Sequence, residues 1–139
     1  MLVAFEYLDI PGDAGLRVRG ATLKEVFRDA AVGMFSLITD LDGVRARSRM
    51  NVVTESDSPE GLLVAWLNEL VFQFDTYGFI GKEVEVAELS DRRIFATVSG
   101  EEFDPERHES RLLIKAATYH NLVLEKKDGG WRAEIIFDI

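Results

Sequence analysis

The chain contains no cysteine, which excludes disulfides and thiolate metal sites and leaves nothing that points to an oxidising compartment. It also has only two histidines and three prolines among 139 residues. His108 and His120 lack the short spacing that sets two imidazoles on one zinc ion. No serine stands at a triad-like distance from either histidine. The G-x-S-x-G elbow and the G-x-x-x-x-G-K-[ST] phosphate loop are both missing, so triad hydrolysis and standard-loop nucleotide binding are excluded. Apolar stretches are broken by charge well before the ~18 consecutive residues of a membrane span. The N-terminal "MLVAFEYLDI" has no basic start or small-residue cleavage site, so no secretory signal is visible and a cytoplasmic location is expected. A basic face is lacking too. Sixteen Lys and Arg stand against 25 Asp and Glu, for a net charge of -9, and the densest basic runs are "VRARSR" and "EKK". Direct nucleic-acid binding is not expected from such a chain, whereas a metal ion or a basic protein partner suits it.

What is present is a continuous domain of 139 residues, 47% of them hydrophobic. Thr22 followed by Glu25 has the form of a capping box, and Leu23, Val26, Phe27, Ala30, Met34 and Ile38 recur behind it at helical spacing. This predicts a helix from Thr22 to about Thr39. Ser58 and Pro59 open a second helix that Gly78 closes, with Leu63, Trp66, Leu67, Leu70, Val71 and Phe74 as its apolar stripe. That stripe reads as a helix laid on a sheet, with a partner-docking face as the alternative. "FEYLD", "GLRVRG", "MNVVTES", "EVEVAEL", "RIFATVSG", "LVLE" and "WRAEIIFDI" read as strands, and Asp128-Gly129 as the tight turn between the last two. His120 falls in a strand-like segment after Tyr119. The expected class is α+β, two helices packed on a largely antiparallel mixed sheet.

The chemistry left standing is that of carboxylates. Asp9 and Asp13 flank the "IPGD" loop, and Asp138 is next to Ile139 at the chain end. If the last strand pairs near the first, these oxygens converge into a set that favours a hard cation such as Ca2+ or Mg2+. Otherwise each Asp is a solvated turn or capping residue.

One stretch changes the reading. Asp104-Pro105-Glu106-Arg107-His108, then "IKAATYH" from Ile114 to His120, then a chain ending in "FDI", resembles the archease family. "FEYLD", "TLKEVFRDAAVGMFSLITDLD" and "LLVAWLNELVFQFDTYG" resemble that family's segments in the same order, so the resemblance covers essentially the whole chain. It implies a non-enzymatic cofactor protein of the RtcB-type RNA ligase of tRNA splicing and RNA repair. Such a protein promotes guanylylation of the ligase, with GTP and manganese, and allows its multiple turnover. It also implies a divalent ion, calcium in the first instance and magnesium or manganese otherwise, held by Asp13, Asp138 and an oxygen of Ile139. Asp9, Asp104, Glu106, Arg107, His108 and Lys115 are candidates for partner contact or for support of that site. Lys115 either pairs with a site carboxylate or reaches solvent. One departure stands out: the family usually reads His-Thr-Ala-Asp where this chain has Ile10-Pro11-Gly12-Asp13. Two other functions compete with the activator: a general chaperone using the apolar face of the second helix, and a metal-dependent hydrolase using Asp9, Asp13 and Asp138.

Overall fold

The structure, a computed structural model, describes residues 4–139; Met1 to Val3, part of the stretch without a secretory signature, lie outside the described residues. In chain order the elements are β1 (Phe5–Leu8), β2 (Ala14–Gly20), α1 (Leu23–Ile38), a single 3-10 turn (Leu41–Gly43), β3 (Ser48–Glu55), α2 (Pro59–Tyr77), β4 (Phe79–Leu89), β5 (Arg93–Glu102), β6 (Ala116–Ala117), β7 (Val123–Lys127) and β8 (Gly130–Asp138).

Both helices start where their caps predict. The Thr22 hydroxyl accepts the Glu25 N–H at 3.2 Å, and the Glu25 carboxylate accepts the Thr22 N–H at 2.9 Å, which satisfies two donors that a bare helix end leaves open. Ser58 does the same for Gly61 N–H at 3.0 Å, and α2 ends at Gly78 in the left-handed conformation. The α2 stripe faces inward: Leu62, Leu63, Trp66, Leu67 and Leu70 are fully buried. Trp66 donates its indole N–H to the Phe27 carbonyl at 2.9 Å, which locks α2 against α1. The stripe read from the sequence is therefore core, and α2 leaves only Phe72 and Tyr77 as large exposed apolar side chains.

The strands form two sheets where one was expected, and every pairing is antiparallel. In the first, β1, β2 and β8 run side by side, and β6 and β7 share the far edge of β8. The second has β5 between β3 and β4. Helix α1 packs on β2 and β4, and α2 on β3 and β6, so each helix touches both sheets and one core joins them. The alternation in β2 holds: Leu16 and Val18 are buried and Arg19 is exposed. His120 is not in a strand. β6 is two residues long, and the chain then turns at Tyr119–Leu122, where Leu122 N–H donates to Tyr119 carbonyl at 3.2 Å and Asn121 takes φ +50. Asparagine tolerates that left-handed backbone, which serves the turn leading into β7.

One close approach fixes the second sheet. A Cβ on Gly100 would lie 1.9 Å from the Ile80 carbonyl oxygen and 2.9 Å from the Gly81 Cα, both backbone atoms that cannot swing away. Gly100→Ala is expected to cost about 3 kcal/mol or more through overpacking, read as a lower urea midpoint in equilibrium unfolding. An unchanged midpoint would mean that β4 can shift away from β5 at no cost.

Candidate functional site

The β1–β2 connection is a tight turn. Asp13 N–H donates to the Ile10 carbonyl at 3.1 Å, Pro11 occupies the second position, and Gly12 takes φ +80. This is the type II pattern, in which proline presets the second position and the third needs a residue free of a Cβ. The Ile10-Pro11-Gly12 segment that departs from the family pattern thus builds the turn that delivers Asp13 to the start of β2.

From there the register does the assembling. Ala14 pairs with Phe137 at the end of the β2–β8 ladder, so Asp13, just before β2, and Asp138, the last residue of β8, flank that final pair, with Ile139 one step further. On the other edge Ala116 pairs with Asp138, and Lys115 N–H donates to the Asp138 carbonyl at 2.8 Å, which keeps the end of β8 from fraying. Asp13 is half-buried, while Asp138 and Ile139 are exposed. Asp9, before the turn, is exposed and off this ladder.

None of Asp9, Asp13 and Asp138 has an ion-pair partner among the described residues. The Lys115 side chain is exposed and pairs with no carboxylate there, so of its two readings the structure favours the solvent-reaching one. Among the described residues, no three His, Asp or Glu side chains gather closely enough to hold a metal ion. A cation at this strand end would therefore rest on two carboxylate side chains, Asp13 and Asp138, with an Ile139 oxygen and water completing its shell. Such an all-oxygen, uncompensated donor set fits a hard divalent ion.

The Asp104 to His108 motif lies elsewhere and is occupied. His108 is buried, its Nδ1 accepts the Asp104 N–H at 2.8 Å, and its ring stacks on Phe103 with centroids 5.3 Å apart. With Nδ1 accepting, the proton sits on Nε2, which donates to Glu101 at 3.1 Å. No nitrogen is left for a metal. Arg107 donates to Glu101 at 2.5 Å and to the Gly43 carbonyl at 3.0 Å, and Arg45 N–H donates to Glu101 at 2.7 Å. Burial works against ionisation of Glu101, but the Arg45 N–H, Arg107 and His108 outweigh it and hold the carboxyl down at about 2. Of the motif, Asp104 and Glu106 remain exposed, although Asp104 also accepts the Glu106 N–H at 3.0 Å. Glu101 was invisible to sequence reasoning. Strand alternation turns it away from the face of Ile94, Ala96 and Val98, and it is buried where the Arg45 segment and the Arg107–His108 loop close on it.

A cavity of about 680 Å3 lies at the opposite end of β2 and β8, beside Arg28, Asp29, Trp131 and Arg132. Its charges are largely settled internally: Arg28 pairs with Asp29 at 2.9 Å, and Arg132 with Glu125 and Glu134 at 3.0 Å each.

This frame of two helices and two antiparallel sheets occurs in known proteins. The solution structure of Methanobacterium thermoautotrophicum protein 1598 superposes with a TM-score of 0.81 at 35% identity, covering 98% of this chain and 99% of that one. The crystal structure of a Thermotoga maritima archease, described as a possible chaperone, has a TM-score of 0.66 over 95% of this chain and 94% of that one. At 14% identity it shares the fold alone. By sequence, protein archease of Methanosarcina acetivorans is 38% identical, over 97% of this chain and 95% of that protein. The Methanopyrus kandleri protein archease is 34% identical over 97% and 99%. The sequence profile of the archease protein family matches residues 5–139, which takes in the turn at Asp13, both helices and the terminal strand. The expectation raised by the motifs is met: the chain belongs to the archease family.

Proposed function

We propose that this protein is a non-enzymatic activator of an RtcB-type RNA ligase, acting in the cytoplasm through a divalent cation, calcium in the first instance, held by Asp13, Asp138 and Ile139. The observation that carries the reading is the antiparallel β2–β8 ladder, whose last pair, Ala14 with Phe137, leaves Asp13 and Asp138 next to it at one end of the sheet. That end of the molecule presents carboxylates that have no ion-pair partner among the described residues, on a chain of net charge -9, and so favours a cationic protein surface. Two main-chain bonds set its geometry: Asp13 N–H to Ile10 carbonyl, and Lys115 N–H to Asp138 carbonyl. A site held in place by backbone can meet a partner without first paying to order its own ligands. When bound, the cation would supply the positive charge that draws these oxygens to a common point. The ligase carries out the chemistry, with RNA, GTP and manganese; the activator promotes its guanylylation and repeated turnover.

The test is ligation by an RtcB-type enzyme with excess RNA, GTP and Mn2+, with and without this chain. Joined RNA is expected to exceed one equivalent of ligase only when the chain is present. No gain over ligase alone rejects the reading. The chaperone alternative has one observation of its own, the exposed edge-to-face pair Phe72 and Tyr77 on α2, with ring centroids 6.3 Å apart. It predicts protection of unrelated proteins from aggregation that Asp138→Asn leaves unchanged.

A further inference from the structure

Resting on that reading, we infer that Asn68 of α2 is a positioning residue for the carboxylate end. Its side-chain amide stands in for a strand beside β6, and β6 is what pairs with Asp138.

The β2–β8 ladder ends at Ala14 and Phe137, whereas Asp138 itself pairs with Ala116 of β6. Lys115 N–H donates to the Asp138 carbonyl at 2.8 Å. Thr118 donates to the Ile136 carbonyl through its N–H at 3.0 Å and through its hydroxyl at 2.8 Å. Between these anchors Ala117 gives its own backbone groups to α2: Ala117 N–H donates to Asn68 Oδ1 at 2.8 Å, and Asn68 Nδ2 donates to the Ala117 carbonyl at 3.1 Å.

β6 is two residues long, too short to hold its place by its own ladder. The outer edge of such a strand leaves a donor and an acceptor open. An asparagine amide carries one of each on a single planar group, as a neighbouring peptide does, so it closes that edge with one side chain. Ala117 is buried at 4% exposure, and water cannot replace the two bonds if they are lost. Asparagine is a weak choice for a helix interior by propensity, yet here it sits on the turn of α2 that Trp66, Leu67 and Leu70 bury in the core. The clamp is therefore mounted on a fixed element, and through β6 it sets where the Asp138 end of β8 lies.

The test measures Ca2+ affinity by calorimetry, stimulation of ligation, and amide hydrogen exchange by NMR. It uses the full chain as native, Asn68→Leu, Asn68→Asp and Gly100→Ala, at a temperature at which circular dichroism shows each folded. Asn68→Leu is expected to weaken Ca2+ binding about tenfold and to lower stimulation. Its Lys115 and Thr118 N–H groups should exchange at least about tenfold faster through local opening of β6. Asn68→Asp keeps an acceptor for Ala117 N–H and loses the donor, so it should fall between Asn68→Leu and the native chain. Gly100→Ala destabilises the second sheet and should leave both Ca2+ affinity and these two exchange rates at their native values. Native exchange at Lys115 and Thr118 in Asn68→Leu would overturn the clamp. Faster exchange there with native Ca2+ affinity and stimulation would overturn the positioning role and leave the activator reading standing. An equal loss of Ca2+ affinity in Gly100→Ala would assign the effect to general stability, against this inference. Native chain that neither binds Ca2+ nor stimulates ligation would overturn the reading and the positioning role together.

Discussion

Glu101→Leu is expected to lower the unfolding free energy by about 3 kcal/mol. The carboxylate accepts from Arg45 N–H, Arg107 and His108, and it is itself buried. Without it the buried His108 Nε2–H and the Arg45 N–H lose their acceptor, whereas Arg107 can still reach water. The loss should therefore fall at the lower end of what breaking a buried pair costs. Acid supplies a second reading of the same network. The Glu101 pKa falls from an ordinary 4.5 to about 2 on folding. A lowered folded pKa means that its stabilisation is complete above about 4.5 and drains away as pH falls toward 2. Urea unfolding at neutral pH and at about pH 3 checks both: the native chain should lose stability between the two, and the Glu101→Leu chain should lose less. Glu106→Gln, on an exposed side chain of the same motif, is expected to stay within about 0.5 kcal/mol at both. Equal stabilities for Glu101→Leu and Glu106→Gln would refute the network.

The motif that carries the family resemblance is thus divided in its work, and the division shows where sequence reading stops. Helix ends were legible because Thr22, Glu25, Ser58, Pro59 and Gly78 act within a few residues of themselves, and local chemistry is written locally. The hairpin at Asp128-Gly129 was legible for the same reason, since both residues adopt positive φ. Which strand pairs with which was not, because a period of two names a strand's faces and not its neighbour. Hence one sheet was expected where two exist. The site divides along the same line. Asp13 and Asp138 come from opposite ends of the chain and reach the same end of the first sheet only through the β2–β8 register, so their proposed partnership was reachable by resemblance and not by spacing. Glu101 offered no signal at all, because its burial depends on segments that close over it from both directions, Arg45 before β3 and Arg107 and His108 after β5. Lys115 contributes through its N–H, a group every residue but proline carries, so its side chain could not announce that contribution.

Saturating Ca2+ is expected to raise the melting temperature of the native chain, and Asp13→Asn or Asp138→Asn to remove that rise. A ligand that binds only the folded state adds about 2.7 kcal/mol at a hundred times its dissociation constant. For a domain of this size that corresponds to roughly 8 °C. The unfolded chain would not compete for the ion, because only the pairing of β2 with β8 brings the segments that carry Asp13 and Asp138 to one end of the sheet. Either substitution removes half of the carboxylate side-chain charge while keeping the shape, so the metal-dependent rise should fall to near zero while the metal-free melting temperature barely moves. Asp9→Asn is the control: Asp9 lies off the β2–β8 ladder, and that variant should keep most of the rise. Mg2+ should give a smaller shift than Ca2+ at equal concentration, because it demands near-ideal octahedral geometry and sheds water reluctantly, whereas two carboxylates and a chain-end oxygen make an open, irregular set. Differential scanning fluorimetry with the four proteins and two ions decides the matter. Equal shifts in native chain and Asp138→Asn would place the ion away from this strand end. The effect on ligation would then have to arise from the carboxylates meeting the partner directly, each contributing charge with no ion of its own between them.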